Sequence, residues 1–153
     1  TMYRKLLLGI ATVGILCAAN GSVAVARTVS ASSGHALLGA DMNCFNYQPV
    51  TGNAQGCSAG FKKFIVPLTV DNAGVKAVSF SSRSNGAGDG QCRVLSNNLA
   101  GTAPTAGAFV AIPQSGTFVT QSLGSINVPA NGILFAECDM NLDSRVHAFV
   151  YAQ

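Results

Sequence analysis

Tryptophan is absent from the sequence, and aromatic residues of all kinds make up only 7 % of it. An indole platform for stacking against a sugar ring is thereby excluded, leaving Phe45, Tyr47, Phe149 and Tyr151 as the aromatics for any such surface. Charge is also scarce, at 10 % of residues. No basic run exceeds Lys62-Lys63 and none is interleaved with aromatics, so a nucleic-acid partner lacks its electrostatic footprint. No Cys-x-x-Cys occurs, which excludes zinc-ribbon and thioredoxin-like sites. H-E-x-x-H, G-x-S-x-G and paired-carboxylate motifs are missing too, and the chain has only six acidic residues. The expectation is a protein that is not an enzyme and needs no cofactor.

Long hydrophobic runs are likewise missing. Leu6 to Ala19 is apolar, but Asn20, Gly21 and Ser22 interrupt it after about 14 residues, short of the roughly 18 a membrane span requires. Arg4 and Lys5 precede this run and Ala24-Val-Ala26 follows it. That order of charged, apolar and small residues is a secretory signal peptide over residues 1–26, cleaved after Ala26. A lipid anchor at Cys17 is disfavoured by the bulky Leu16 before it. Arg4 and Lys5 leave with the signal, so the nine basic residues drop to seven against six acidic ones. The mature chain, about 127 residues from Arg27, is one domain with a single core and no membrane span.

What remains is rich in Gly, Ser, Asn and short β-forming runs, with no helical period. Strands are expected at residues 63–70, 75–82, 91–96, 108–112, 117–128 with a bend at Gly124, 133–139 and 145–152. Their turn-punctuated spacing predicts an all-β fold, a small antiparallel β-sandwich of about seven strands. Asp71-Asn-Ala-Gly74 reads as a hairpin turn, and Asn131-Gly132 suits positive φ. Residues 27–43 are expected to be a leader or an edge strand around 36–40, and residues 44–153 the sandwich domain. On the last strand, Val146, Ala148 and Val150 are expected to face the core.

Without Cys17, four cysteines remain: Cys44, Cys57, Cys92 and Cys138. An even count in a small exported chain points to two disulfides, with three connectivities open. Parity puts Cys92 with Val94 and Cys138 with Leu134 and Ala136, so these two could meet across a buried interior. Cys44 and Cys57 would close a polar loop of about 14 residues, worth roughly 3 kcal/mol in chain entropy. Pairing Cys44 with Cys57 and Cys92 with Cys138 is favoured on these grounds.

Candidate sites are few. Asp139, Asn141 and Asp143 have the D-x-N-x-D start of a calcium loop, but Ser144 holds the place of its glycine and Val150 that of its glutamate. They read better as a hairpin turn, leaving only weak metal ligands. The glycine-rich 84–90 loop with Asn85 and Asp89, together with Tyr47 in the disulfide loop, forms a possible ligand surface. A scattered hydrolytic site from His147, Asp139 and Asp143 is the remaining alternative.

Three segments, FIVPLTVDNAGVKAVSF (64–80), GQCRVL (90–95) and ILFAECDMNLDSRVHAFVYA (133–152), loosely resemble small exported bacterial β-sandwich proteins of unassigned activity that end in a cysteine hairpin. The resemblance covers about half the mature chain. In that group the last turn often contains Pro and Gly, unlike Met140 to Ser144 here. It implies a disulfide-stapled sandwich and transfers no site.

The expected function is a non-enzymatic protein, secreted or periplasmic or at the cell surface, with a structural or assembly role through its sheet edges. The alternative is a monomeric binding module for a glycan or an exported partner protein, the role of an inhibitor included.

Overall fold

The computed structural model describes residues 25–48, 52–55, 57, 60–85 and 90–153. Residues 1–24 of the expected signal peptide therefore lie outside the described residues, and the expected cleavage point after Ala26 falls at the first residue of a strand. The strands are β1 (Ala26–Ser30), β2 (His35–Ala36), β3 (Phe45–Gln48), β4 (Gly52–Gln55), β5 (Lys62–Leu68), β6 (Gly74–Ser84), β7 (Gln91–Asn97), β8 (Thr105–Ala106), β9 (Val110–Ala111), β10 (Val119–Val128), β11 (Ile133–Met140) and β12 (Ser144–Ala152). They form two antiparallel six-stranded sheets. The first runs β10-β6-β12-β4-β3, with β1 also on β12, and the second runs β2-β5-β11-β7-β8, with β9 also on β7.

Six of the seven expected strands are the long ones, β5, β6, β7, β10, β11 and β12, and the fourth shrinks to β9. The short ones were not anticipated. FNYQ and GNAQ in β3 and β4 have no apolar alternation, and they gain their order as a hairpin laid on β12. The edge strand expected near residues 36–40 is only His35–Ala36, because the chain then turns through a 3-10 segment at Gly39–Cys44. A longer edge strand is β1, five residues against β12.

The links correct the sequence reading. Asp71 to Gly74 does not close a hairpin: β5 lies in the second sheet and β6 in the first. Met140 to Ser144 does not close one either, because β11 and β12 also belong to opposite sheets. Both are sheet-crossing turns, as is Pro129 to Gly132 between β10 and β11. Their backbones carry positive φ, at +55° on Asn131, as expected, and also at +114° on Gly74 and +63° on Asp143. The same turn chemistry serves a hairpin or a crossing, so local sequence could not separate them.

The core lies between the sheets. Phe64, Val66 and Leu68 of β5, Leu134, Ala136 and Met140 of β11, and Val94 of β7 face Val78 and Phe80 of β6, Ile126 and Val128 of β10, and Phe149 of β12; all are buried. Strict alternation holds in β5 to β7, where one face is packed and the next residue points out. It fails in β12. Val146 pairs with Ser82 and Ala148 with Ser81, so His147 is an extra residue and parity inverts beyond it. Val146, Phe149 and Tyr151 are buried and Val150 is exposed, against the expected core set of Val146, Ala148 and Val150. A second bulge in β10 lies between Ser122 and Gly124, with Gly124 at φ +84°, where the bend was expected.

Both disulfides join the favoured partners, Cys44 to Cys57 and Cys92 to Cys138. The second does not reach across the interior. Cys92 and Cys138 sit directly opposite on adjacent strands β7 and β11, Cα atoms 4.0 Å apart, on the packed face of one sheet. Their loops span sequence separations of 13 and 46 residues. The chain-entropy model then ranks the inner bridge as the more stabilising, at about 4 kcal/mol against about 3. Replacing both Cys92 and Cys138 by Ala should lower the urea-unfolding free energy by that larger amount, and replacing Cys44 and Cys57 by the smaller.

Gly132 ends the β10–β11 crossing, its N–H donating to Pro129 O at 2.8 Å. A Cβ there would lie 2.8 Å from both Asn97 O and Pro129 O, two backbone atoms that cannot swing aside. Gly132→Ala should therefore cost about 1–3 kcal/mol in the same measurement.

Candidate functional site

Alternation in the central strands of the second sheet sets a second row of side chains on its outer face. Lys63, Ile65 and Pro67 of β5 point outward, as do Ile133, Phe135, Glu137 and Asp139 of β11 and Gln91, Arg93 and Leu95 of β7. Register aligns them in bands: Pro67, Phe135 and Leu95 form an apolar row, and Lys63, Asp139 and Gln91 a polar one. His35 of β2 stands opposite Ile65, and Leu37 follows, tied by its N–H to Lys63 O at 3.0 Å.

Where β2, β5 and β11 meet the 69–70 link, the apolar band deepens into an open groove of about 530 Å³. Its walls are His35, Leu37, Ile65, Pro67, Ile133 and Phe135, with Val70 and Gly132 at one end. A second recess of about 300 Å³ between the 70–73 and 128–132 links shares Val70 and Gly132 with the first. Asn72 lines that recess and accepts a hydrogen bond from Nζ of the buried Lys76.

The polar band beside the groove is internally neutralised. Glu137 Oε1 accepts from Lys63 Nζ at 2.8 Å and from Arg93 at 3.0 Å, while its side chain keeps only 9 % exposure. Asp139 holds Lys63 at 3.2 Å and accepts from Gln91 Nε2 at 3.2 Å. The Arg93 guanidinium lies 4.4 Å from the centre of the Phe109 ring. The Glu137 hydrogen bond is the main cause that holds the Lys63 ammonium above the ordinary lysine value; burial opposes it, and Asp139 adds to the rise. A raised lysine contributes stability that is fully present at neutral pH and is lost as pH climbs through the raised value, above 10.5.

Glu137→Gln leaves two cations facing a neutral amide in a nearly closed position. The expected outcome is a loss of about 1–3 kcal/mol. In an NMR titration the Lys63 ammonium should return toward 10.5, the ordinary value.

The residues singled out from sequence are not gathered at this groove. Asn85 is exposed at the end of β6, where its Oδ1 accepts from Arg83 at 3.1 Å. Tyr47 lies in β3 opposite Asn53, and Asp89 falls outside the described residues. Of the other aromatics proposed for a platform, Phe45 packs on Phe64 with centroids 5.0 Å apart, and Phe149 and Tyr151 are core. Tyr151 keeps its polar end satisfied by donating to Thr69 O at 2.7 Å.

Asp139, Asn141 and Asp143 do not converge. Asp139 is spent on Lys63 and Gln91, Asn141 Oδ1 accepts from Leu142 N at 2.8 Å, and Asp143 supplies the left-handed turn residue. Among the described residues no group of three His, Cys, Asp or Glu side chains could hold a metal ion. His147 sits in the first sheet beside Phe118, on a different sheet from Asp139, so the two are not brought together. Asp143→Gly should relieve the left-handed strain and raise stability by about 0.5–1 kcal/mol, with calcium present or absent. A drop seen only in calcium would mark a metal loop instead.

Sequence reasoning missed the groove because it sought exposed loops. The signal was present in KKFIVPL and ILFAECDM, where Ile65, Pro67, Ile133 and Phe135 put apolar side chains on the face opposite the core.

No family model and no curated protein matches the chain. Solved structures do share its fold. The C-terminal CBM6 of LamC, a marine laminarinase from Zobellia galactanivorans, superposes with a TM-score of 0.56 at 19 % identity over 84 % of this chain and 100 % of that one. A CBM36-1 domain of a multidomain xylanase from the hindgut metagenome of Trinervitermes trinervoides gives 0.57 at 11 % identity, covering 84 % and 98 %. The CBM35 from Cellvibrio japonicus Abf62 gives 0.53 at 10 % identity, covering 84 % and 94 %. The chain has the β-sandwich fold of these carbohydrate-binding modules.

Proposed function

We propose that this protein is an exported, non-catalytic binding domain for a glycan, and that the groove on the outer face of the second sheet is its binding surface. The observation that carries this reading is the groove's build. Its apolar walls suit the C–H faces of a pyranose ring, and the polar band of Lys63, Glu137, Asp139 and Gln91 lies alongside to meet hydroxyls. A volume of about 530 Å³ suits a short oligosaccharide segment, and the adjoining recess extends the path beyond Gly132.

The shared fold with domains described as carbohydrate-binding modules supports the reading, and two disulfides support export to an oxidising compartment. Among the described residues no helix is long and apolar enough to cross a membrane. The carbohydrate-binding-module neighbours and the groove support the binding-module alternative better than the structural or assembly role expected first.

A glycan array followed by calorimetry on any hit tests the proposal. Phe135→Ala and Ile65→Asp should each weaken binding by about 10-fold or more while the circular dichroism spectrum stays that of the wild type. Binding that survives both changes but is lost in Tyr47→Ala would move the site to the disulfide loop. A protein that binds no glycan on the array would sink the reading.

A further inference from the structure

Most cations of the described residues have a carboxylate. Arg27 is paired with Asp71, Lys62 with Asp41, and Lys63 and Arg93 with Glu137, while the buried Lys76 donates to Asn72. Arg83 and Arg145 are different. They stand directly opposite one another on β6 and β12, in register. Each is flanked along its strand by buried residues, Ser82 and Ser84 for one and Ser144 and Val146 for the other, so both project from the outer face of the first sheet. No carboxylate among the described residues pairs with either.

Like charges directly opposite on neighbouring strands, with Cβ atoms about 5 Å apart, oppose folding. Here the arrangement is also held in place. Arg83 donates to Gly116 O at 2.7 Å and its guanidinium lies 5.2 Å from the centre of the Phe118 ring. Phe118 in turn meets the His147 ring at 5.2 Å. Meanwhile the Nε atoms of both arginines are buried and donate to no acceptor, and the Arg145 side chain has no hydrogen bond or ion pair among the described residues. A fixed guanidinium, a second one facing it and two Nε donors without an acceptor are the parts from which an oxyanion site is made.

We propose that Arg83 and Arg145 bind an oxyanion, a sulfate ester or carboxylate carried by an acidic polysaccharide, at a site on the opposite sheet from the groove. The polysaccharide as carrier rests on the glycan reading; the oxyanion site itself does not. An oxyanion between the two forks takes hydrogen bonds from both and cancels their repulsion. The imidazole of His147 adds a third nitrogen-bearing group to the same surface. The two sheets would then present two chemically distinct outer faces, one apolar and neutralised, one cationic.

The test uses the full oxidised protein and inorganic sulfate, at ionic strength held constant with chloride. Saturable shifts of the arginine Nε–H resonances and a rise in Tm are expected. Arg145→Gln should weaken sulfate binding by about 10-fold or more, while its own Tm without sulfate equals or exceeds that of the wild type. Arg145→Lys keeps the charge but not the fork and should fall between, and it decides the matter if Arg145→Gln does not fold. Sulfate that acts no differently from chloride, or that binds Arg145→Gln or Arg145→Lys as it binds the wild type, overturns the site. Sulfated and uronate oligosaccharides then identify the oxyanion: at least one should lose about 10-fold in Arg145→Gln, and neither doing so overturns the acidic carrier. A neutral oligosaccharide should bind wild type and Arg145→Gln alike; a parallel loss of neutral glycan and sulfate would show that the two faces are not separate.

Discussion

The structure depends on the burial of two alternating strand faces against each other, with a chain that changes sheet at almost every turn. From β5 onward the path goes second sheet, first, second, then after β8 and β9 first, second and first again. Neither sheet can form from consecutive strands alone. Each draws its neighbours from distant sequence, as in β10 beside β6 and β11 between β5 and β7. The hydrophobic contact of Phe64, Val66 and Leu134 with Phe80, Val128 and Phe149 is therefore what makes both ladders possible, rather than a layer added to sheets that already exist.

This constraint explains the place of the inner disulfide. Cys92 and Cys138 tie β7 to β11, strands separated by β8, β9 and β10 in sequence, and they do so on the packed face, where the disulfide takes the place of two apolar side chains. The outer disulfide does different work. Cys44 lies at the end of a 3-10 segment and Cys57 beyond β4, so their bridge closes the β3–β4 hairpin.

Much of this was legible in the sequence, and the limits have physical causes. Period-two alternation located the longer strands and Cys92, Val94, Leu134, Ala136 and Cys138 on the packed face, because one face of each is buried. It misplaced the core of β12, because an inserted residue at His147 inverts parity without leaving a compositional mark. It took 71–74 and 140–144 for hairpins, because a left-handed Asp or Gly looks the same in a turn that stays in its sheet and in one that leaves it. The groove escaped notice since outward apolar residues such as Ile65 and Phe135 read as ordinary strand formers. The facing arginines could not be seen at all: their 62-residue separation means nothing until register sets Arg83 against Arg145.

The pairing of β1 with β12 has a mechanical consequence. Ala26 stands opposite Ala152, and Gln153 N donates to Val25 O at 2.9 Å, so the first and last described residues leave the molecule side by side. A load applied between these two points runs across the ladder, and its hydrogen bonds meet the force one rung at a time, like a zip opened from its end. Gln153 also holds the 69–71 link, accepting from Asp71 N and donating to Thr69 O, so the rung at this end is the most heavily tied. The domain would thus yield to a pull between Val25 and Gln153 once that first rung gives way.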